Sequence, residues 1–187
     1  MRPTKQEIDD EIVERAAALF ARYGFEQTSV QRIADAVGYS KTGLLHRFPT
    51  KEALQDAVID RWAGKVRAIA AGVSDLPPGP ERDLAVITGV VDLALRGPGV
   101  VSLLLGALSS FETGETAIRL KTVGAGLFDA FAADKDGDPE RAVRIGAALG
   151  GLAVISLATR DAAPPGIRTH LIAAGYDALG HHRPGAQ

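Results

Sequence analysis

Cysteine is absent from this chain of 187 residues, which removes any disulfide framework and any thiolate metal site. The four histidines, His46, His170, His181 and His182, do not replace it, because they lack metal-ligand spacing; no metal and no cofactor is implied. Long apolar runs are lacking too. The longest, Ile145 to Ala158, has 14 residues, three of them glycine, against about 18 for a candidate membrane span. It reads as a buried helix, and no membrane partner is expected. The opening MRPTKQEIDDEIVER turns acidic and has no apolar core of a secretory signal, so a cytoplasmic location is expected. Internal repeats, low-complexity tracts and convincing period-2 strands are also missing.

What is present is ordinary in bulk and uneven in detail. Hydrophobic residues at 46% and charged residues at 24% exclude a disordered or fibrous chain. The length suits one domain or a small module joined to a larger one. A net charge of −2 argues against a generic polyanion binder, yet residues 27–51 hold Arg32, Lys41, Arg47 and Lys51 against Asp35 alone. That local excess of +3 follows an N-terminal stretch, 1–26, whose net charge is −2. A compact positive patch of this kind suits phosphate contact.

Apolar residues at three- and four-residue spacings, Ile8, Ile12, Val13, Ala16, Leu19, Phe20 and Tyr23, predict a first amphipathic helix ending at Gly24. A short second helix follows, with Thr28 and Gln31 at capping-box spacing, Val30, Ile33, Ala34 and Val37 as its buried stripe, and Gly38 closing it. Ser40 caps a third, with Leu44 and Phe48 inward and Pro49 as its stop. Thr50 caps a fourth of about five turns, its apolar face marked by Leu54, Val58, Trp62, Val66 and Ile69. The stretch SDLPPGPERD is the best boundary candidate, and breaks at 96–99, 113–115, 136–139 and 161–166 divide the rest into about five helical segments. The fold class is therefore all-α: a helix-turn-helix unit over 1–50, a connecting helix over 51–73, and a helical unit over 74–187.

Two short helices joined by a tight glycine-containing turn, the second starting on a polar cap, form a helix-turn-helix, whose second helix enters a major groove. A recognition helix needs only its first turns against base edges, which accounts for its early stop. The stretch AALFARYGFEQTSVQRIADAVGYSKTGLLHRFPTKEAL resembles the DNA-binding region of the tetracycline-repressor (TetR) family of bacterial regulators over about residues 10 to 60. The ordered set Phe20, Gly24, Thr28, Ile33, Ala34, Gly38, Ser40, Phe48, Lys51 and Glu52 carries the resemblance. It implies phosphate contacts from Ser29, Arg32, Ser40 and Lys51, groove or base contacts from Gln31, Lys41, Thr42 and His46, and Thr28 within the same DNA-facing set. Leu45 stands where the family often has tyrosine and would meet a thymine methyl instead. The other readings are Ser29, Ser40 and Thr50 as caps alone, Lys41, Arg47 and Lys51 as solvated charges, Arg47 as the partner of an acidic neighbour, and His46 as a ring packed near Phe48.

For the C-terminal half the resemblance implies a small-molecule effector and a homodimer. Asp138 and Pro139 start a helix that is apolar nearly all round, where Gly146, Ala147, Gly150 and Gly151 allow close approach of another helix and Val154 lies on the same expected face. With Ile167, Leu171 and Leu179 on the last helix they form the expected dimer interface, two helices from each subunit. Leu104, Leu108, Phe111, Leu127, Phe128 and Phe131 are the expected effector-pocket residues, with Val66 and Ile69 reaching toward them. Asp92 aligns with Thr88 and Arg96 as a solvated face, and no buried charge is evident, which favours a neutral, apolar-bodied ligand. The expected function is a repressor that binds a palindromic double-stranded operator and is released by such a ligand. The alternative is a helical interaction protein of the same fold that has lost DNA affinity. No enzyme is expected, since His170, Asp177 and the serines are supported by no nucleophile elbow or metal motif.

Overall fold

The computed structural model describes residues 4–97, 101, 104–105, 115–133, 137–159 and 161–181, and its regular elements there are all helices. They are α1 (Lys5–Tyr23), α2 (Val30–Val37), α3 (Lys41–Arg47), α4 (Lys51–Gly72), α5 (Pro80–Arg96), α6 (Glu115–Ala130), α7 (Pro139–Ala158) and α8 (Ile167–Ala178). The all-α expectation holds.

Local chemistry sets the helix ends. Thr4 and Glu7 form a reciprocal capping box at the start of α1, and the backbone and hydroxyl of Thr4 hold the Glu7 carboxyl below its ordinary range. Gly38 ends α2 in the left-handed region at φ 71°, a conformation that costs a residue with a β-carbon more than it costs glycine. Ser40 accepts a hydrogen bond from Gly43 N at 3.0 Å and Thr50 accepts one from Ala53 N at 3.0 Å. Phe48 caps α3 in extended geometry, as a residue before proline prefers. Asp138 caps α7 by accepting from Arg141 N, with Pro139 in the first turn.

One expected cap is wrong. Ser29, not Thr28, caps α2, accepting from Arg32 N at 3.1 Å, and Gln31 donates to Asp35 instead of closing a box. Thr28 is fully buried, and its hydroxyl donates to Gly24 O at 2.7 Å.

Three apolar clusters organise the chain. The first joins Ile12, Ala16 and Phe20 of α1, Ile33 and Ala34 of α2, Leu44 of α3, and Leu54, Val58 and Trp62 of α4. The second joins Ile59 and Val66 of α4 to Leu120 and Val123 of α6. The third gathers Val86, Ile87, Val90 and Val91 of α5, Phe131 just past α6, Ile145, Ala148 and Leu152 of α7, and Leu171, Ile172 and Leu179. At about 25 cal/mol per Å² of apolar area, burial of this kind is the main force holding the helices together. Gly175 lets α8 approach closely: a β-carbon there would lie 3.1 Å from Ile87 and 3.2 Å from Leu152.

A buried charge lies in the third cluster, against expectation. Asp83, with no exposed surface, accepts from both terminal nitrogens of Arg141, at 3.1 and 2.9 Å, and lies 2.7 Å from His181 Nε2. These hydrogen bonds push the Arg141 guanidinium above its ordinary pKa. The cluster ties the first turns of α5 and α7 to the end of α8, and Arg141 also donates to Phe131 O. Asp92 differs as well: it pairs with Arg168 of α8 at 2.7 and 3.0 Å, while Arg96 donates to the Asp92 backbone carbonyl.

Candidate nucleic-acid interface and internal cavity

Helix α3 turns Leu44 into the core at 1% exposure, and Phe48 packs beside it. A 3.6-residue period then places Lys41, Thr42, Leu45 and His46 on the outward arc. Lys41, Thr42 and His46 are exposed or partly exposed and Leu45 is half-buried. Ser29 and Ser40 sit at the first turns of α2 and α3 and are exposed, but each hydroxyl already accepts a capping bond. A hydroxyl that accepts still has its own hydrogen to donate, so capping and phosphate contact are compatible. Gln31 and Arg32 lie on the exposed side of α2, with the Arg32 guanidinium 4.4 Å from the centre of the Tyr23 ring.

Two of the expected contacts are displaced. Thr28 is removed from the DNA-facing set, because a fully buried hydroxyl that bridges Gly24 O and Leu19 O cannot reach a phosphate. Lys51 is half-buried, donates to Phe25 O at 3.0 Å, and stands 4.1 Å over the Phe25 ring. Its ammonium closes the loop between α1 and α2, and two donor hydrogens remain.

Ion pairs sort the remaining charge. Arg47 pairs with Asp9, Arg61 with Asp10, and both Arg61 and Lys65 approach Glu14. The acidic first helix thus turns these carboxylates toward the arginines of α3 and α4. His46 borders the depression that Asp9, Asp10, Arg47 and Arg61 line between α1, α3 and α4.

A second site opens between α4, α5, α6 and α7. It is a cavity of about 640 Å³ whose described walls are almost wholly apolar, within the range typical of small-molecule pockets. Leu104, Leu127 and Phe128 line it as expected. Phe131 does not: it is fully buried in the third cluster. Leu108 and Phe111 lie outside the described residues. Val66 of α4 lines the cavity, but Ile69 packs instead against the third cluster and Gly89.

Gly146 and Gly150, expected at the dimer interface, line the cavity too, facing Lys121, Gly124 and Ala125 of α6. Helix α7 has the length and apolar composition to cross a membrane, yet its faces differ. Ile145, Ala148, Leu152 and Ser156 are buried; Gly146, Gly150 and Ala153 border the cavity; and Val143, Ala147, Gly151, Val154 and Ile155 are exposed. Within the single chain the fold covers only part of its circumference. Leu171 of α8 and Leu179 just past it are buried within the chain, so these two are not free for a partner, and Ile167 is half-buried against the same core.

Residues missed from the sequence include Trp62 and Lys121 at the cavity and the Asp83–Arg141–His181 cluster. A usable signal existed for the cavity alone. Gly124, Gly146 and Gly150 sit inside helices, where each costs about 1 kcal/mol relative to alanine, and helical glycines at four-residue spacing mark a face that needs room.

The architecture is a helix-turn-helix with α3 outward, joined to a helical half around an apolar cavity. Residues 12–58 match the family described as bacterial regulatory proteins, tetR family. That match runs from within α1 to the first turns of α4 and so covers the helix-turn-helix unit. It is similar to the HTH-type transcriptional regulator RutR of Escherichia coli (strain K12), 41% identical over 61 residues, covering 30% of this chain and 29% of that protein. The chain thus matches less than a third of the length of this curated relative. Among solved structures it resembles the TetR family regulator PfmR of Thermus thermophilus, with a TM-score of 0.72 at 22% identity, covering 94% of this chain and 100% of that one. It also resembles AibR, solved in complex with isovaleryl coenzyme A and operator DNA, with a TM-score of 0.64 at 23% identity over 93% of this chain and 97% of that one.

Proposed function

We propose that this protein is a cytoplasmic repressor that binds a palindromic operator as a homodimer and releases it when a small apolar-bodied ligand enters the cavity. Residues 1–50 are the DNA-binding unit, 51–73 the connecting helix and 74–187 the ligand-binding and dimerisation unit. The exposed faces of α2 and α3 supply the DNA contacts: Ser29, Gln31, Arg32, Ser40, Lys41, Thr42, Leu45 and His46, with Lys51 at the margin. The complex of AibR with an acyl thioester and operator DNA supports a ligand of partly apolar character.

One observation carries the reading. Helix α4 is continuous from Lys51 to Gly72, packs against the helix-turn-helix through Leu54 and Val58, and lines the cavity through Trp62 and Val66. Arg119 of α6 also pairs with Asp56 and Asp60 of α4, so the cavity wall grips the helix beside the DNA-binding unit. In a dimer the recognition helices must stand about 34–36 Å apart to enter successive major grooves. A modest swing of α4 spoils that match, and a ligand that prefers the swung state shifts the population.

Coupling of roughly 1–3 kcal/mol corresponds to a 5- to 150-fold loss of operator affinity, and linkage makes it reciprocal. Palindromes upstream of the chain's own gene are the duplexes to test. Operator must weaken ligand binding by the same factor as ligand weakens operator binding; equal ligand affinity with and without operator excludes the mechanism. A second reading, a helical interaction protein without DNA affinity, is favoured by the engagement of Arg47 and Lys51 within the chain. Absence of salt-dependent duplex binding would select it.

A further inference from the structure

The walls of the cavity give it an inside and a mouth. Trp62, Val66 and Val90 of its lining are buried, whereas Lys121 of α6 and Val143 and Gly146 of α7 are exposed, so it opens between α6 and α7. Glycine keeps that gap wide: a β-carbon on Gly124 of α6 or Gly150 of α7 would meet nothing within 4 Å. Lys121 is the one charged residue of the described lining, which holds no carboxylate. On the same two helices Arg119, Arg141 and Arg144 each pair with a carboxylate, but Lys121 has no ion pair among the described residues. Its ammonium, three donors on a flexible four-carbon stem, is therefore free to meet an anion at the opening.

We infer that the ligand is a monoanionic amphiphile, an apolar body ending in a carboxylate, seated with its body inside the cavity and its carboxylate on Lys121 at the mouth. In the apolar interior a carboxylate would lose its hydration and find no partner; at the mouth it keeps water on one side and accepts from Lys121 on the other. A cationic head would meet the like charge of Lys121 and no compensating carboxylate. One lysine matches one negative charge and leaves a polyphosphate head largely unpaired. The orientation turns the far end of the apolar body toward Trp62 and Val66, which lie on α4, the helix proposed to transmit the ligand's presence. The inference rests on the proposed ligand-binding role of the cavity and adds the charge and direction of its occupant.

Octanoate, octan-1-ol and octylammonium share one apolar chain and differ in the charge of the head. Their affinities for the full-length protein and for its Lys121→Gln and Lys121→Glu variants are measured by calorimetry and by the emission of Trp62, the one tryptophan in the chain. An exposed ion pair changes affinity by about fivefold at most. The octanoate-to-octanol affinity ratio should therefore fall about three- to fivefold in Lys121→Gln and about tenfold in Lys121→Glu, where octylammonium should bind more tightly than before. Added salt should weaken octanoate relative to octanol in the unmodified protein alone. A merely structural effect of either substitution would weaken all three probes together and leave their ratios unchanged. Gly150→Leu should weaken all three by filling the cavity, with circular dichroism reporting the fold. Ratios that both Lys121 variants leave unchanged, or tightest binding of octylammonium to the unmodified protein, would overturn the inference while the cavity remains a ligand site. So would binding of octanoyl coenzyme A that is tighter than that of octanoate and indifferent to Lys121. Binding by no probe, or binding that Gly150→Leu does not weaken, would remove the ligand-binding role of the cavity and the inference with it. None of these readouts uses DNA, so they stand apart from the test of the repressor.

Discussion

The Trp62 indole lies directly against the backbone of Gly97, the residue that ends α5, with no space between them for a methyl group. This contact joins the core shared by the DNA-binding helices to the helix that walls the cavity, so the same ring senses packing on both sides. Gly97→Ala should force the ring aside and destabilise the protein by about 1–3 kcal/mol, the usual cost of overpacking a core. Chemical denaturation followed by the single tryptophan measures it, and the native emission maximum should shift as well.

Lys41 and Lys51 should separate by phenotype. Lys41 is exposed at the start of α3 with no ion pair among the described residues, so Lys41→Ala should leave stability within about 0.5 kcal/mol. It should weaken operator binding, by about 1–3 kcal/mol if the contact is to a base. Lys51→Ala loses the bond to Phe25 O as well, so it should cost about 1 kcal/mol of stability. Its effect on DNA binding should be uniform across sequences, with a salt slope lower by about one. Binding isotherms at several salt concentrations, beside urea melts, distinguish the two.

The proposed dimer face is the exposed stripe of α7, Ala147, Gly151, Val154 and Ile155. Val154 is 54% exposed in the single chain, so Val154→Glu should produce a folded monomer in sedimentation while leaving circular dichroism unchanged. Gly150→Leu should instead leave the dimer intact, because its side chain would enter the cavity. A monomeric unmodified protein would contradict the assignment.

Breaking the buried pair should be costly. Asp83→Ala strands the Arg141 guanidinium beside an apolar core and should destabilise by about 3 kcal/mol. Adding Arg141→Met removes the stranded charge and should recover part of that loss, which thermal melts of the single and double variants will measure.

Asp92 supplies a pH signature. The hydrogen bonds from Arg168 lower its pKa below 3.8, against the opposing effect of partial burial. Its folded pKa is therefore depressed relative to the unfolded chain, so the pair contributes stability above about pH 4 that is lost as pH falls through the lowered folded value. Arg168→Ala should remove that contribution at neutral pH and flatten the acid side of the stability profile. An identical profile for the variant would refute it.

The first four helices were legible because their determinants are local. Gly24, Gly38, Ser40 and Thr50 act within a few residues of themselves, and the stripes of Ile33 and Ala34 or Leu54 and Val58 repeat at a helix period. The misassignment of Thr28 shows the limit of that reading. Threonine and serine side by side offer two equivalent caps, and only the packing of the α1–α2 loop, which buries Thr28 on Gly24 O, selects Ser29.

The sequence by itself determined where helices start and stop and which face of an amphipathic one turns inward, because hydrogen-bonding caps and apolar periodicity act over one or two turns. Tertiary structure alone decided what the faces of α7 do. A helix apolar all round has no period to distinguish core, cavity and exposed stripe, so Gly150 and Gly151, neighbours in the chain, are separated only by the helices packed around them. The same holds for Asp83 and Arg141, 58 residues apart, whose charges are compatible with burial only because folding brings them together.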